Sequence, residues 1–211
     1  MRRARHRPGA ALSALPGFLP PRRVGLLGGS FNPAHDGHRH ISLEALKRLG
    51  LDEVWWLVSP QNPLKPGDGM APFATRLAGA RAAARSPRIR ALDLEARLGT
   101  RYTIDTIAAI RRLFPRTRFV WLMGADNLQQ IRHWLRWRQI FRRVPIAVLD
   151  RPTYSRAALS DLAARAFARR RVSPGAARRL ADMTPPAWTF LPIKLDPRSA
   201  SAIRQKKIAR L

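Results

Sequence analysis

Short runs of apolar residues alternate along this chain with longer segments whose apolar positions recur every three or four residues. The short runs predict buried β-strands, and the longer periodic segments predict amphipathic helices. Strands are predicted at residues 24–27, 54–58, 89–94, 118–123, 145–149 and 188–193. Helices are predicted at residues 36–49, 73–85, 103–114, 157–171, 176–183 and 199–211, with shorter helical pieces between 126 and 142.

This alternation of strands and helices predicts the fold class. Strands that are apolar throughout are typical of parallel sheets whose two faces are both covered by helices. We therefore expect an α/β protein with a Rossmann-like, doubly wound parallel sheet and helices on both faces. A single domain is expected to extend over residues 24–211. Ligands of such sheets bind beyond the carboxyl ends of the strands, where the strand order reverses.

Residues 1–23 differ from the rest of the chain in composition. They contain six arginines and four prolines but no acidic residue, and their apolar residues follow neither a helical nor a strand period. We interpret them as a basic, flexible N-terminal extension that precedes the domain.

The whole chain is strongly basic. It has 40 Lys and Arg residues against 13 Asp and Glu, a net charge of +27, and no cysteine. Such a charge attracts polyanions, although only five of the basic residues are lysine and an excess of Arg, Ala and Pro is also typical of GC-rich coding. The absence of cysteine excludes disulfides and thiolate zinc sites, and no apolar run is long enough to span a membrane. We expect a cytoplasmic protein without a membrane segment.

The turn after the first predicted strand is the most informative segment. Residues 28–38 read Gly-Gly-Ser-Phe-Asn-Pro-Ala-His-Asp-Gly-His. Gly28 and Gly29 can adopt strained backbone angles, and they leave room for an anion at the start of the next helix. His35 and His38 are three residues apart, so both lie on one side of the first helical turn and can donate to phosphate oxygens. The turn therefore predicts a polyphosphate site; a zinc site would need a third ligand, which no nearby acidic cluster supplies.

This motif resembles the signature of the nucleotidylyltransferase superfamily, in the form typical of the bacterial nicotinate-nucleotide adenylyltransferases. Other segments resemble that family in the same order along the chain. They are S-P-Q-N-P-L-K at 59–65, R-Y-T-I-D-T at 101–106, G-A-D-N at 124–127, H-W-L-R-W at 133–137, R-P at 151–152 and S-A-S-A-I-R at 199–204. Arginine replaces the family's serine at position 101. The resemblance extends from about residue 24 to residue 204.

The resemblance implies transfer of AMP from ATP to nicotinate mononucleotide, which gives nicotinate adenine dinucleotide and pyrophosphate in NAD biosynthesis. The phosphate of the acceptor is already a nucleophile. The enzyme therefore has only to hold the two reactants in line and stabilise the charge that moves toward pyrophosphate. Mg²⁺ is expected to accompany ATP, and the protein is expected to hold no metal of its own.

The family's functional positions carry over to this sequence in three groups. The catalytic positions implied are His35, His38 and Arg204. The ATP-binding positions implied are Gly28, Gly29, Ser30, Phe31, His35, His38, Gly124, Ser201, Ile203 and Arg204. The substrate-binding positions implied are Asn32, Lys65, Tyr102, Thr103, Asp126, Trp134 and Arg151.

Several of these positions have a purely structural alternative. Tyr102 and Thr103 are predicted at the start of a helix, where N–H groups can bind the nicotinate carboxylate, or where Thr103 caps the helix. Asp126 either accepts hydrogen bonds from ribose hydroxyls or is the N-cap of the next helix. Trp134 either stacks on the pyridine ring or packs in the core.

Two alternative functions remain open at this point. The acceptor can instead be nicotinamide mononucleotide or another phosphate ester. From a different class, the net charge permits a non-catalytic RNA-binding protein, which would make the motifs at 28–38 and 199–204 coincidences. The expected partners are ATP and nicotinate mononucleotide, and nucleic acid is not expected as the main partner. A homo-oligomer is compatible with the sequence, which does not fix the oligomeric state.

Overall fold

The computed structural model describes residues 23–60, 69–150 and 155–193. The β-strands in these ranges are β1 Arg23–Gly29, β2 Glu53–Val58, β3 Ile89–Leu92, β4 Arg118–Gly124, β5 Ile146–Leu149, β6 Arg171–Val172 and β7 Trp188–Leu191. The α-helices are α1 Asp36–Leu49, α2 Phe73–Ala84, α3 Leu94–Leu98, α4 Thr103–Leu113, α5 Ala125–Gln130, α6 Trp137–Arg143, α7 Ser155–Ser160 and α8 Leu162–Ala166. Short 3-10 helices cover Ile131–His133, Ala168–Arg170 and Pro174–Asp182.

The described strands form one parallel sheet with the order β3-β2-β1-β4-β5-β7-β6. The chain adds β2 and β3 on one side of β1 and then returns to place β4 on the other side. This reversal puts the switch point of the sheet between the carboxyl ends of β1 and β4. The predicted fold class, a doubly wound parallel α/β sheet, is confirmed.

Each face of the sheet has its own apolar core. One core contains residues of α4 to α8, and the other contains residues of α1, α2 and the 3-10 helix Pro174–Asp182. Trp55 and Trp56 are neighbours in β2 and are both fully buried, but they belong to opposite cores because side chains alternate across a strand. None of the described helices is long and apolar enough to cross a membrane.

Helix α1 has the bounds that the sequence predicts. Lys47 and Arg48 lie in its last turn, where cations interact favourably with the helix dipole. Gly50 follows with a positive φ of 61°, and its N–H donates to the carbonyl of Leu46. Glycine adopts this left-handed conformation without strain, so the helix ends here.

The predicted single helix at 157–171 is wrong. Asp161 interrupts it, because its side chain accepts a hydrogen bond from the N–H of Ala163 and caps α8. After α8 the chain forms the edge strand β6, in which Arg171 pairs with Trp188 of β7. The predicted helix at 176–183 is also different in kind, since it is the 3-10 helix Pro174–Asp182.

The predicted strand at 89–94 is too long. Strand β3 ends at Leu92, because Leu94 already begins α3 and buries its side chain in the core that α4 covers. Helix α3 was not predicted, because five residues are too few to show a helical period in the sequence. Its second residue, Glu95, is buried near the candidate site. Of the predicted extension at 1–23, only Arg23 is described, and it begins β1 rather than preceding the domain. The predicted helix at 199–211 lies outside the described residues.

Candidate active site

The two histidines of the turn cap the N-terminus of helix α1. His35 is the N-cap residue, and its Nδ1 accepts a hydrogen bond from the N–H of Gly37 at 3.1 Å. His38 lies three residues later, and its Nδ1 accepts from the N–H of His35 at 3.3 Å. This reciprocal pair is a capping box, a motif usually made by Ser or Thr with Glu or Gln. Here two imidazoles make it.

These hydrogen bonds assign the tautomer of both neutral imidazoles. A ring nitrogen that accepts a hydrogen bond carries no proton, so the proton of each ring lies on Nε2. His35 and His38 therefore each provide an Nε2–H donor. Their ring centroids are 3.9 Å apart, and both rings stand at the N-terminus of a helix of 14 residues. Paired N–H donors at such a position suit phosphate oxygens.

Aromatic packing holds the ring of His38 in place. The ring of Phe31 lies 4.8 Å from His38 and stacks on Trp56 at 5.1 Å between centroids. The indole N–H of Trp56 donates to Oγ of Ser42, and Ser42 in turn donates to the carbonyl of His38, both at 2.8 Å. Phe31 is almost fully buried. Sequence reasoning missed Ser42 and Trp56 as supports; the only available signal is that Ser42 follows His38 by one helical turn.

Neither glycine at the start of this turn uses the strained backbone conformations open to glycine. Gly28 and Gly29 belong to β1, and neither has a positive φ; the residue of the turn with a left-handed backbone is Phe31, with a φ of 47°. Gly28 is needed for another reason. A Cβ at this position would lie 2.7 Å from Cη2 of Trp121, which is buried in β4. Gly28 therefore allows the end of β1 to pack against an indole ring.

We expect Gly28→Ala to lower the free energy of unfolding by about 1–3 kcal/mol, the usual cost of overpacking a core. The rigid indole of Trp121 cannot move away without disturbing its edge-to-face contact with Trp134. The matched control is Gly79→Ala in α2, where nothing lies within 4 Å of the new Cβ and stability is expected to rise by about 1 kcal/mol. Urea unfolding measures both variants, and equal stability of the two would contradict the expected clash.

Asn32 connects the histidine turn to the segment that precedes α2. Its Nδ2 donates to the carbonyl of Gly69 at 3.1 Å, and its Oδ1 accepts from the N–H of Ala71 at 3.3 Å. The side chain that the motif assigns to substrate binding thus also holds two parts of the backbone together.

Glu95 is a buried carboxyl that sequence reasoning missed. The residue is only 6% exposed, and its carboxyl accepts hydrogen bonds from the side chains of Ser59 and Thr106. Burial raises the pKa of Glu95 to about 7, and the two hydrogen bonds act in the opposite direction. Thr106 also contacts Oγ1 of Thr100 at 2.9 Å and the carbonyl of Tyr102 at 3.2 Å. Glu95 therefore links the end of β2 to the start of α4.

Helix α4 begins at the residues expected to recognise the acceptor. Tyr102 is its N-cap and Thr103 its first residue, so the alternative in which Thr103 caps the helix is wrong. Tyr102 is 37% exposed, and the guanidinium carbon of Arg101 lies 6.0 Å from its ring centroid. Among the described residues no side chain caps this helix, and the N–H groups at its start suit a carboxylate.

Strand β4 runs into helix α5 without a loop. Gly124 is the N-cap of α5, so the alternative in which Asp126 caps it is wrong; Asp126 is the half-buried second residue of the helix. Trp134 follows the 3-10 helix and meets Trp121 edge to face, with 6.3 Å between ring centroids. The packing role considered for Trp134 is therefore observed, and stacking on the acceptor stays a prediction.

The structure brings these positions together along the carboxyl edge of the sheet. Gly28 meets Trp121 and Trp121 meets Trp134, which joins the ends of β1 and β4. The N–H of Ser59 donates to the carbonyl of Gly29 at 2.9 Å. Glu95 in turn accepts hydrogen bonds from the side chains of Ser59 and of Thr106 in α4. Five expected site residues lie outside the described ranges: Lys65, Arg151, Ser201, Ile203 and Arg204.

Known proteins share this architecture. A family model described as cytidylyltransferase-like matches residues 26–206. The solved structure of Plasmodium falciparum nicotinic acid mononucleotide adenylyltransferase complexed with NaAD is similar, with a TM-score of 0.66 and 17% sequence identity. The match covers 87% of this chain and 83% of that one. At this identity the likeness concerns the fold.

Relatives at much higher sequence identity show to which group within this family the chain belongs. A "Probable nicotinate-nucleotide adenylyltransferase" of Parvibaculum lavamentivorans is 54% identical over 90% of this chain and 94% of the relative. A protein of the same name from Cereibacter sphaeroides is 58% identical over 86% and 96%. Fold and site together define a nucleotidyltransferase. The chain belongs to the cytidylyltransferase-like family and, within it, to the nicotinate-nucleotide adenylyltransferases, as the motifs predicted.

Proposed function

We propose that this chain transfers AMP from ATP to nicotinate mononucleotide, forming nicotinate adenine dinucleotide and pyrophosphate. The observation that carries the proposal is the capping box of His35 and His38 at the carboxyl end of β1, which provides two Nε2–H donors at a helix N-terminus. The names of the relatives at 54% and 58% identity support the same reaction.

The proposed reaction needs no nucleophile from the protein. A phosphate oxygen of nicotinate mononucleotide attacks the α-phosphorus of ATP and forms a new P–O bond. The bond from the α-phosphorus to the oxygen that bridges to the β-phosphate breaks, and its electron pair leaves with pyrophosphate. His38 donates to the α-phosphate, while His35 and the positive end of the α1 dipole favour the other phosphates. These donors lower the barrier by stabilising charge in the transition state.

The remaining positions divide between the two substrates. We assign to ATP the residues at the ends of β1 and β4 and in the closing segment: Gly28, Gly29, Ser30, Phe31, Gly124, Ser201, Ile203 and Arg204. We assign to the acceptor Asn32, Lys65, Tyr102, Thr103, Asp126, Trp134 and Arg151. Arg204 is expected to hold the leaving phosphates through its guanidinium, and Lys65 to act as a point charge on the reacting phosphates.

The start of α4 is the part of the site that favours nicotinate mononucleotide as the acceptor. The nicotinate carboxylate accepts hydrogen bonds from N–H groups near Tyr102 and Thr103, where the helix dipole also favours negative charge. Nicotinamide carries no such charge. Trp134 stacks on the pyridine ring in this proposal, with its other contacts in the core.

Mg²⁺ enters the proposal as part of the ATP substrate, because phosphate oxygens are ligands that it prefers. Among the described residues, no group of three or more His, Asp or Glu side chains could hold a metal ion. We place the reaction in the cytoplasm, with two anionic nucleotides as partners, and the net charge of +27 suits them. Neither nucleic acid nor a second subunit is required by the chemistry.

The purified chain is expected to release pyrophosphate from MgATP when nicotinate mononucleotide is added. Because hydrogen bonds to a charged group contribute about 1.5–3 kcal/mol, kcat/KM for nicotinamide mononucleotide should be about 10- to 100-fold lower. A continuous pyrophosphate assay with each acceptor measures both values. Preference for the nicotinamide compound would reassign the acceptor, and folded protein without turnover on either acceptor would refute the proposed reaction.

A further inference from the structure

Arg76 of helix α2 is a buried cation whose hydrogen-bond partners are backbone carbonyls. The residue is 4% exposed. Nη1 donates to the carbonyls of Ser30 and Ser59, each at 2.7 Å. Nη2 donates to the carbonyl of Pro60 at 2.7 Å, and Nε donates to that of Ala71 at 2.9 Å. Four of the five N–H bonds of the guanidinium therefore have a carbonyl acceptor.

The four carbonyls belong to three segments of the site. Ser30 lies in the histidine turn, Ser59 and Pro60 follow β2, and Ala71 precedes α2. The second and third segments flank residues 61–68. Asn32 adds an independent connection between the turn and the segment before α2. One guanidinium thus joins the turn that carries the phosphate donors to both ends of the chain segment that contains position 65.

This arrangement needs the shape of a guanidinium and not only its charge. The planar fork points its N–H bonds in fixed, divergent directions, whereas the ammonium of lysine is a compact point charge. A buried cation is also costly, and apolar residues of similar volume often stabilise a core equally well. A fork that satisfies carbonyls of three segments beside the site therefore fits a role in fixing their relative positions.

We propose that Arg76 is a positioning residue for adenylyl transfer, because its guanidinium fixes the histidine turn against both flanks of residues 61–68. The inference rests on the proposed function, since it assumes that phosphates are held by the turn. In-line displacement depends on the placement of the reacting groups, and a misplacement of about 1 Å can reduce the rate by about 100-fold.

Two variants test the proposal. Arg76→Lys keeps the charge and loses the fork, and Arg76→Met keeps the volume and loses both. Each is expected to reduce kcat at saturating substrates by about 10- to 100-fold at temperatures well below its melting temperature. The matched control is Arg81→Met, an exposed arginine on the same helix, which is expected to leave kcat and both KM values unchanged. A role in stability alone would lower Tm without lowering kcat.

Amide hydrogen exchange provides a second measurement that does not depend on activity. In Arg76→Lys, residues 30–38 and 69–72 are expected to exchange faster, while β5 and β7 keep the parent rates.

Three results would overturn the proposal. They are unchanged exchange, parent-like kcat in folded Arg76→Met, and full activity of Arg76→Lys. Failure of both variants to fold would overturn it too, because Arg76 would then act on global stability. If the parent protein is inactive on both acceptors, the proposed reaction is refuted. Hydrogen exchange then still tests whether Arg76 fixes the histidine turn against the flanks of residues 61–68.

Discussion

Replacing His38 with Ala is expected to reduce kcat for pyrophosphate release by about 10²- to 10³-fold, the usual effect of removing one hydrogen-bond donor from a developing anionic charge. The variant is also expected to be less stable, because Nδ1 of His38 accepts from the N–H of His35 at the start of α1. Loss of a helix cap costs about 0.5–2 kcal/mol. In the side chain of His38, Nδ1 thus stabilises the start of α1, whereas Nε2–H is the proposed donor to the α-phosphate.

Two further substitutions separate these roles. Asn places its side-chain oxygen where His38 has Nδ1, so His38→Asn keeps the acceptor for His35 and loses the Nε2–H donor. Gln can place its amide nitrogen near the position of Nε2. We expect His38→Asn to be nearly as stable as the parent and as inactive as His38→Ala, whereas His38→Gln should be less stable but more active than His38→Asn. Thermal unfolding and the pyrophosphate assay measure the two effects.

His40→Ala is the matched control, since this histidine lies in the same helix and has no proposed role in the reaction. Its kcat is expected to remain that of the parent. Near-parent activity of both His38→Ala and His38→Asn would remove His38 from the chemistry. Loss of activity in proportion to loss of folded protein would assign it to the cap alone.

The features that the sequence predicted depend on residues close together along the chain. Helix α1 begins and ends where expected because its acidic first turn, its basic last turn and Gly50 are local signals. The parallel sheet was predictable because its strands are apolar on both faces. The histidine turn was predictable because its spacing of three residues places two imidazoles on one helical turn.

The features that it could not predict depend on contacts between distant residues. Gly28 is separated from Trp121 by more than ninety positions, and only the pairing of β1 with β4 brings them together. Strand β6 forms because β7 supplies a partner for two residues that have no strand pattern of their own. Arg76 and Glu95 resemble surface charges in the sequence. Their burial follows from the packing of α2 against β2 and β3 and of α3 against β2.

Glu95 gives this protein an expected pH dependence of stability that differs from the usual one for a carboxylate. Its ordinary pKa of 4.5 is raised by burial to about 7 in the folded chain. Between these values the folded state holds a proton that the unfolded state has lost. The free energy of unfolding therefore falls as pH rises from about 4.5 to about 7, and the contribution of Glu95 is constant beyond these limits.

We expect this contribution to fall by about 2–3 kcal/mol between pH 5 and pH 8, at about 1.4 kcal/mol for each unit of pKa difference. Glu95→Gln is uncharged throughout and can still accept hydrogen bonds from Ser59 and Thr106. Relative to the parent, this variant should therefore gain stability as pH rises. Urea unfolding of both proteins at several pH values measures the difference, in which the titration of all other groups cancels.

Glu44→Gln controls for the loss of a carboxylate elsewhere, since Glu44 lies on α1 and is only partly buried. The change in the slope of stability against pH is expected to be larger for Glu95→Gln than for this control. Parallel curves for Glu95→Gln and the parent would show that the Glu95 carboxyl is hydrated or paired in solution. A loss of stability that continues above pH 7 would mean that the folded chain holds the proton of Glu95 more strongly than expected, because linkage confines the loss to the interval between the two pKa values. If ionised Glu95 disturbs the link between Ser59 and the start of α4, kcat/KM for the acceptor should decline as Glu95 ionises, while KM for ATP changes little.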